Sequence, residues 1–436
     1  MISSAPARNL ALLSRTKTAL LVIFVSSVAV FVGGRSLFLL QGSDFPHFYC
    51  AARMLADSHG AQLYDAKVQR QYQALYAERV GTLYTHPPFE VLLYLAVAWL
   101  PLRSAYVLWT LLNIAFLAVA AHHLAKEALG GWDWRVLLVV WLTFVPGLIC
   151  MMQGQDSLLL LLLIILVFTK LRHGHVFAAG CWLALGLFKF QVTLPLLLVL
   201  FLAQRRTDKK ELAKGVSLIA LALVALSAAV SGWGVFALYP EFLLRYPKQL
   251  SADIFPQAMA NLRGLTYLLF ASHQSHWSTV ALAILCGAAL TKALSDWRIL
   301  GLASNPPATK QIEFDLAFSS TVLFALLVSF HLNPHDLSLS LLPITVLFHR
   351  ILEHRVRTRY LTSFRGLIIT CSLAILFLPP LHVWTLKKGV YAVIVLPLLF
   401  IFSIGISTTR RGTSLLETDF ATYHSNNPAA VPDVHQ

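Results

Sequence analysis

Apolar runs recur from residue 19 to residue 407, and that recurrence limits what the chain can fold into. Of 436 residues, 57% are hydrophobic and 12% charged, where a soluble protein carries roughly a quarter charged residues. The chain therefore reads as an all-α, polytopic transmembrane helical bundle, not a soluble domain with an anchor. The runs fall near 18–40, 89–101, 104–125, 136–151, 156–171, 176–188, 190–204, 212–231, 278–295, 314–331, 336–349, 366–380 and 389–408. That predicts about twelve to thirteen spans; several are shorter than the roughly 20 residues an untilted crossing needs, as half-helices beside binding sites are.

The net charge of +14 does not point to nucleic acid, because the basic residues collect in short loops between apolar runs. Arg205-Arg206 with Lys209-Lys210, the Arg350 to Arg359 stretch and Arg410-Arg411 show the cytoplasmic bias of membrane proteins. Arg8, Arg15 and Lys17 precede the first run, which reads as an uncleaved span with a cytoplasmic N-terminus. Residues 1–408 form one membrane unit, and 409–436 read as a disordered cytoplasmic tail. Orientation by charge puts loops 232–277, 331–336 and 381–388 on the outer side. Working backward from the later basic loops places Gln153 to Asp156 outside, whereas counting forward gives residues 126–135 the opposite parity. Either one short segment does not cross, or 176–204 is a single long span.

Two polar stretches are long enough to have architecture, 41–88 and 232–277. In the first, Phe45, Phe48, Tyr49, Ala52 and Leu55 follow helical spacing with Gly60 as a stop, and Val68, Tyr72, Leu75 and Tyr76 repeat the pattern. Both read as interfacial helices. The second contains Arg245, Lys248 and Arg263, which could meet an anionic lipid carrier or simply be solvated.

Polar residues at the ends of apolar runs are the candidates for chemistry. Asp44, just beyond the first run, is either a helix N-cap or a reactive carboxylate, and the two roles are compatible. His331 and His335-Asp336 flank a proline break, where they could hold a phosphate, orient a hydroxyl or shuttle a proton; a capping aspartate is the plainer reading. Lys189 lies between two apolar runs and lacks an evident partner; a lipid phosphate would supply one, and snorkelling to a headgroup is the alternative. Gln155 and Asp156, in Gln153-Gly154-Gln155-Asp156, could bridge sugar hydroxyls or tie helices together. His86-Pro87-Pro88 reads as structural. No metal-ligand spacing beyond a carboxylate/His pair is present, which leaves a divalent metal undecided, and no organic cofactor is implied.

These residues resemble glycosyltransferase family 87, membrane enzymes of the GT-C superfamily. The resemblance rests on Ser43-Asp44-Phe45-Pro46-His47-Phe48-Tyr49-Cys50-Ala51-Ala52, on Gly60 to Asp65, on Pro87-Pro88 and on Gly154-Gln155-Asp156. It continues through Ala179-Gly180 to Lys189 and Ser329 to Asp336, with Phe190 and Phe330 where the family has proline. The resemblance implies a mannosyl or related hexosyl transfer from a polyprenyl-phosphate sugar to a lipid-linked or glycan acceptor. It makes Asp44 the general base and gives His335 a part in holding the carrier phosphate or the acceptor. Lys189, Gln155, Asp156, His331, Asp336 and Arg263 would then bind substrate, with Tyr49 among the aromatics that stack on sugar faces. The implied location is the plasma (inner) membrane, multi-pass among its lipids, with the site facing outward. The rival class is a transporter or lipid flippase, which predicts inverted repeats; the sequence shows none.

Overall fold

The computed structural model describes residues 40, 43–77, 81–249, 256–270, 276–300, 306, 310–353, 376–396, 398–399 and 401–402. Nearly all of the first apolar run, the basic residues from 354 to 359, the run at 366–380 up to residue 375 and the 409–436 tail lie outside the described residues. Every regular element described is helical. In chain order these are α1 (Phe45–Ala56), α2 (Ala66–Tyr76), α3 (Val91–Leu95), α4 (Leu102–Ala128), α5 (Trp134–Leu142), α6 (Val145–Gln153), α7 (Ser157–Arg172) and α8 (Val176–Leu185). Then follow α9 (Phe190–Ala203), α10 (Arg206–Ser231), α11 (Val235–Gln249), α12 (Leu262–Phe270), α13 (His276–Leu300), α14 (Gln311–Val328), α15 (Leu341–Glu353) and α16 (Pro379–Lys387).

Five helical stretches among the described residues are long and apolar enough to cross a membrane: Leu102–Ala128, Val176–Ala203, Arg206–Ser231, His276–Arg298 and Gln311–Val328. The pair α5 and α6, bent by 72°, makes a sixth when counted as one span. The polytopic helical class is as the sequence predicts, but the apolar runs do not map one to one onto spans. The runs 176–188 and 190–204 join through a 3₁₀ turn, Gly186–Lys189. The run at 89–101 breaks instead into a 3₁₀ turn, Pro88–Glu90, and the five-residue α3. The run at 336–349 opens with a 3₁₀ turn, Pro334–Ser340, before α15.

The polar stretch 41–88 folds as two short helices. Asp65 caps α2, its Oδ1 accepting from the Lys67 and Val68 amides at 2.8 and 3.3 Å. Of the predicted apolar stripe on α2, Tyr72 is buried in the aromatic cluster with Val68 and Tyr76 packed against it, but Leu75 is 75% exposed, and Gln69 and Gln73 share the inward face. Their amides bond the backbone of Leu63, Tyr84, Thr82 and Gly81, so a strand-like stretch with no helix of its own is held by side chains.

Two apolar clusters support the bundle. One, aromatic, joins Phe45, Phe48, Tyr84, Tyr94, Tyr106 and Trp109; the other runs through α4 to α10, α14 and α15. They meet at Gly154, which ends α6 with φ of +66°, a left-handed conformation that glycine adopts without strain. A Cβ there would sit 2.6 Å from Phe45 Cβ, so the glycine also lets the start of α1 rest on the turn. At the far end of the bundle, Arg172 Nε lies 3.1 Å from Asp315 Oδ1 and its Nη2 donates to Gln311 at 3.0 Å. That pair ties the C-terminus of α7 to the N-terminus of α14, so the two helices run antiparallel between the ends.

Helices α8 and α10 approach closely through glycine, as membrane helices without a hydrophobic drive to associate commonly do. A Cβ on Gly180 would lie 2.4 Å from the Leu212 carbonyl oxygen, whereas one on Gly287 of α13 meets nothing within 4 Å. Gly180→Ala is therefore expected to lower unfolding stability in detergent by roughly 1–3 kcal/mol. Gly287→Ala should leave it unchanged or raise it by about 1 kcal/mol. Equal thermal unfolding curves for the two variants would contradict this packing.

Candidate active site

The α6–α7 turn is pinned from several sides. Trp109 Nε1 and Asn113 Nδ2 donate to the Gln155 carbonyl at 3.3 and 3.1 Å, and Tyr94 OH donates to the Gly154 carbonyl at 3.3 Å. From this turn Gln153 Oε1 accepts the Asp44 amide at 3.0 Å, and Gln155 Nε2 donates to Asp44 Oδ2 at 2.7 Å. Asp44 stands at the N-cap position of α1, but its side chain makes no capping bond. The direction of the carboxylate is set by Gln155 across the fold, not by its own helix. Its other oxygen has no partner among the described residues, and the residue is partly exposed.

The opposite side of the Gln155 amide faces Lys189, whose Nζ lies 3.4 Å from Gln155 Oε1. An ammonium only donates and a carboxylate only accepts, so the amide has one orientation that satisfies both. Lys189 is 1% exposed and sits where the 3₁₀ turn meets α9. Its Nζ lies 2.9 Å from Asp336 Oδ1 and 3.1 Å from Asp156 Oδ1. Asp336 also accepts from Ser157 Oγ at 2.8 Å and from the Asn333 amide at 3.0 Å. Lys189 thus reaches no headgroup; its partners are two buried carboxylates. Asp336 combines the capping role with this ion pair.

His335 is buried with Nε2 3.6 Å from Asp336 Oδ1, and burial pushes its imidazole down to about 4, so it is neutral at pH 7. The Ser329–His331 stretch beside it is held by Asn261, which donates to the Ser329 carbonyl at 2.6 Å, and by Arg263 Nη1, which donates to the Phe330 carbonyl at 2.6 Å. Phe330 and Phe190, the two residues that stand where the resemblance expects proline, are in ring contact at 5.8 Å. Tyr49 is not brought to this cluster; it is 2% exposed and its hydroxyl donates to the Leu100 carbonyl at 2.7 Å.

The sequence reading missed Glu90. It is fully buried at the end of the Pro88–Glu90 turn, beside Asp156, and its Oε1 lies 3.0 Å from His86 Nδ1. Burial, then the Asp156 charge, raise its carboxyl well above the usual carboxylate range. An acidic residue inside the apolar run at 89–101 was the available signal.

The site thus gathers Asp44, Gln155, Asp156, Lys189, His335 and Asp336 from four separate stretches of chain, with Glu90 beside Asp156. Among the described residues no group of three His, Cys, Asp or Glu side chains is arranged to hold a metal ion. The family model for Glycosyltransferase family 87 matches residues 84–330, more than half of the chain. No curated protein and no solved structure matches it. The matched segment contains Glu90, Gln155, Asp156, Lys189 and Arg263; Asp44 and Asp336 lie outside it and are bonded into it through Gln155 and Lys189. The match displaces the transporter or flippase alternative. The chain belongs to glycosyltransferase family 87 and is a membrane glycosyltransferase.

Proposed function

We propose that the enzyme transfers mannose from a polyprenyl-phosphate donor to a hydroxyl of a lipid-linked or glycan acceptor at the outer face of the plasma membrane, with inversion. The observation that carries this reading is the state of Asp44: a partly exposed carboxylate, one oxygen held by Gln155 and the other without a protein partner among the described residues. Asp44 takes the acceptor hydroxyl proton, the acceptor oxygen bonds to the anomeric carbon, and the bond from that carbon to the phosphate oxygen breaks. The lipid phosphate leaves with the electron pair. The other carboxyls of the cluster, Asp156, Asp336 and Glu90, are fully buried and engaged with Lys189 or one another. None is placed to act as a second exposed carboxylate, which favours a single displacement over a two-step retaining route. Arg263, part-exposed beside His331, and the N–H groups of His331 and His335 are suited to the departing phosphate.

The charge distribution supports the orientation. Exposed Trp99 and Trp233 lie at the Asp44 end: Leu100 is bonded to α1, and the end of α10 abuts Gly60. The other ends of the same helices carry Lys126, Arg205, Arg206, Lys209 and Lys210, with Lys170 and Arg172 closing α7. Interfacial tryptophan at one end and clustered basic residues at the other fit a cytoplasmic basic face.

Asp44→Asn is expected to fold and to lose transfer by a factor of about 10²–10⁴. A radiolabelled polyprenyl-phosphate-mannose assay on purified protein checks this, and wild-type turnover in the variant would contradict the base assignment. Lys189→Met leaves two buried carboxylates without their cation. It is expected to cost about 3–5 kcal/mol of stability, read as a lowered unfolding midpoint. A Lys189→Met protein as stable as wild type, with only donor affinity reduced, would return Lys189 to direct phosphate binding.

A further inference from the structure

Two amides reach Asp44 from the two sides of the Gly154 turn, and only one of them is fully engaged. Gln155 donates to the Asp44 carboxylate at 2.7 Å and turns its oxygen to Lys189. Gln153, the last residue of α6, accepts the Asp44 main-chain amide at 3.0 Å. A backbone N–H only donates, so this bond fixes the Gln153 oxygen toward Asp44 and leaves its Nε2 with two N–H groups to give. The residue is part-exposed, and among the described residues none bonds that nitrogen.

The main chain is held on both sides of Gln153. The Met152 carbonyl accepts from Tyr106 OH, and the Gly154 carbonyl accepts from Tyr94 OH at 3.3 Å. A rigidly mounted donor thus stands in direct contact with the residue that takes the reacting proton.

In an inverting displacement the acceptor oxygen and the departing phosphate lie on opposite faces of the anomeric carbon. A group bonded to the base therefore stands on the acceptor side. The Asp44 carboxylate only accepts hydrogen bonds, and the Gln153 amide nitrogen only donates them. A hydroxyl does both. Two hydroxyls on neighbouring carbons match this pair: one gives its proton to Asp44, and the oxygen of the next accepts from Gln153.

We propose that Gln153 is a substrate-binding residue that donates a hydrogen bond to an acceptor-sugar hydroxyl, next to the hydroxyl that Asp44 deprotonates. The inference rests on the glycosyl-transfer reading of the site. It gives the acceptor a chemical class, a sugar with hydroxyls on adjacent carbons.

The test follows transfer by purified full-length protein from radiolabelled polyprenyl-phosphate mannose to a glycolipid extract of the native host's membranes. Gln153→Leu removes both bonds, whereas Gln153→Glu keeps an oxygen for the Asp44 amide and removes the donor. Both variants are expected to raise the apparent KM for the extract roughly 3–10-fold, the loss of one neutral hydrogen bond, with the donor KM unchanged. A bond that only positions Asp44 predicts otherwise: Gln153→Glu behaves as wild type, and Gln153→Leu lowers kcat without moving the acceptor KM. Methyl α-D-mannopyranoside and the matching glucoside and galactoside are added as competitors. At least one should inhibit the wild type, and inhibit Gln153→Leu less by a similar factor. An unchanged acceptor KM in Gln153→Leu, a wild-type KM in Gln153→Glu, or inhibition by none of the glycosides would overturn the proposal. Any of these results with a wild type that transfers from polyprenyl-phosphate mannose sinks this inference alone; no transfer from that donor sinks the reading beneath it.

Discussion

The architecture of the site depends on one buried cation. Lys189 is enclosed, and an ammonium in an apolar interior is tolerated only when paired and hydrogen-bonded. Its partners come from the start of α7, through Asp156, and from the Pro334–Ser340 turn, through Asp336. Those segments must converge on the break between α8 and α9, or several charges remain uncompensated. Ser157 and the Asn333 amide complete the shell of Asp336, and Glu90 lies beside Asp156. The cluster is best understood as a device that specifies geometry; replacing such groups with apolar side chains often leaves stability unharmed.

Gln155 carries that geometry outward. Its backbone is fixed by Trp109 and Asn113 and its amide oxygen faces Lys189, so its amide nitrogen holds Asp44 from a rigid base. Gln155 thus stands between the buried cation and the partly exposed carboxylate. Interposing an amide keeps the cation's structural role apart from the chemistry.

Much of this was legible residue by residue. The hydropathy pattern alone defines a polytopic helical bundle, and Asp44, Gln155, Lys189 and Asp336 each stand out as polar groups where apolar sequence stops or is interrupted. Their partnerships were not legible, because Lys189 and Asp336 are far apart in sequence and meet only through helix packing. Asp44 looked like a cap by position, but a tertiary hydrogen bond from Gln155 took the carboxylate instead. Glu90 was hidden behind Pro87-Pro88, which read as a simple chain re-entry. On α2 the apolar stripe located Val68, Tyr72 and Tyr76 correctly but not Leu75, which turns out, while Gln69 and Gln73 turn inward to satisfy backbone groups. Phe190 and Phe330 looked like separate departures, whereas they touch one another.

The claim that Gln155 acts through Asp44 is tested most directly by a double-mutant cycle on the transfer rate, using wild type, Asp44→Asn, Gln155→Leu and the double variant. If the amide exists to aim the carboxylate, Gln155→Leu lowers wild-type turnover on the order of 10²-fold and leaves the residual rate of Asp44→Asn unchanged. The same loss in both backgrounds would show that Gln155 works independently of Asp44, and the route from the buried ion cluster to the base would be wrong.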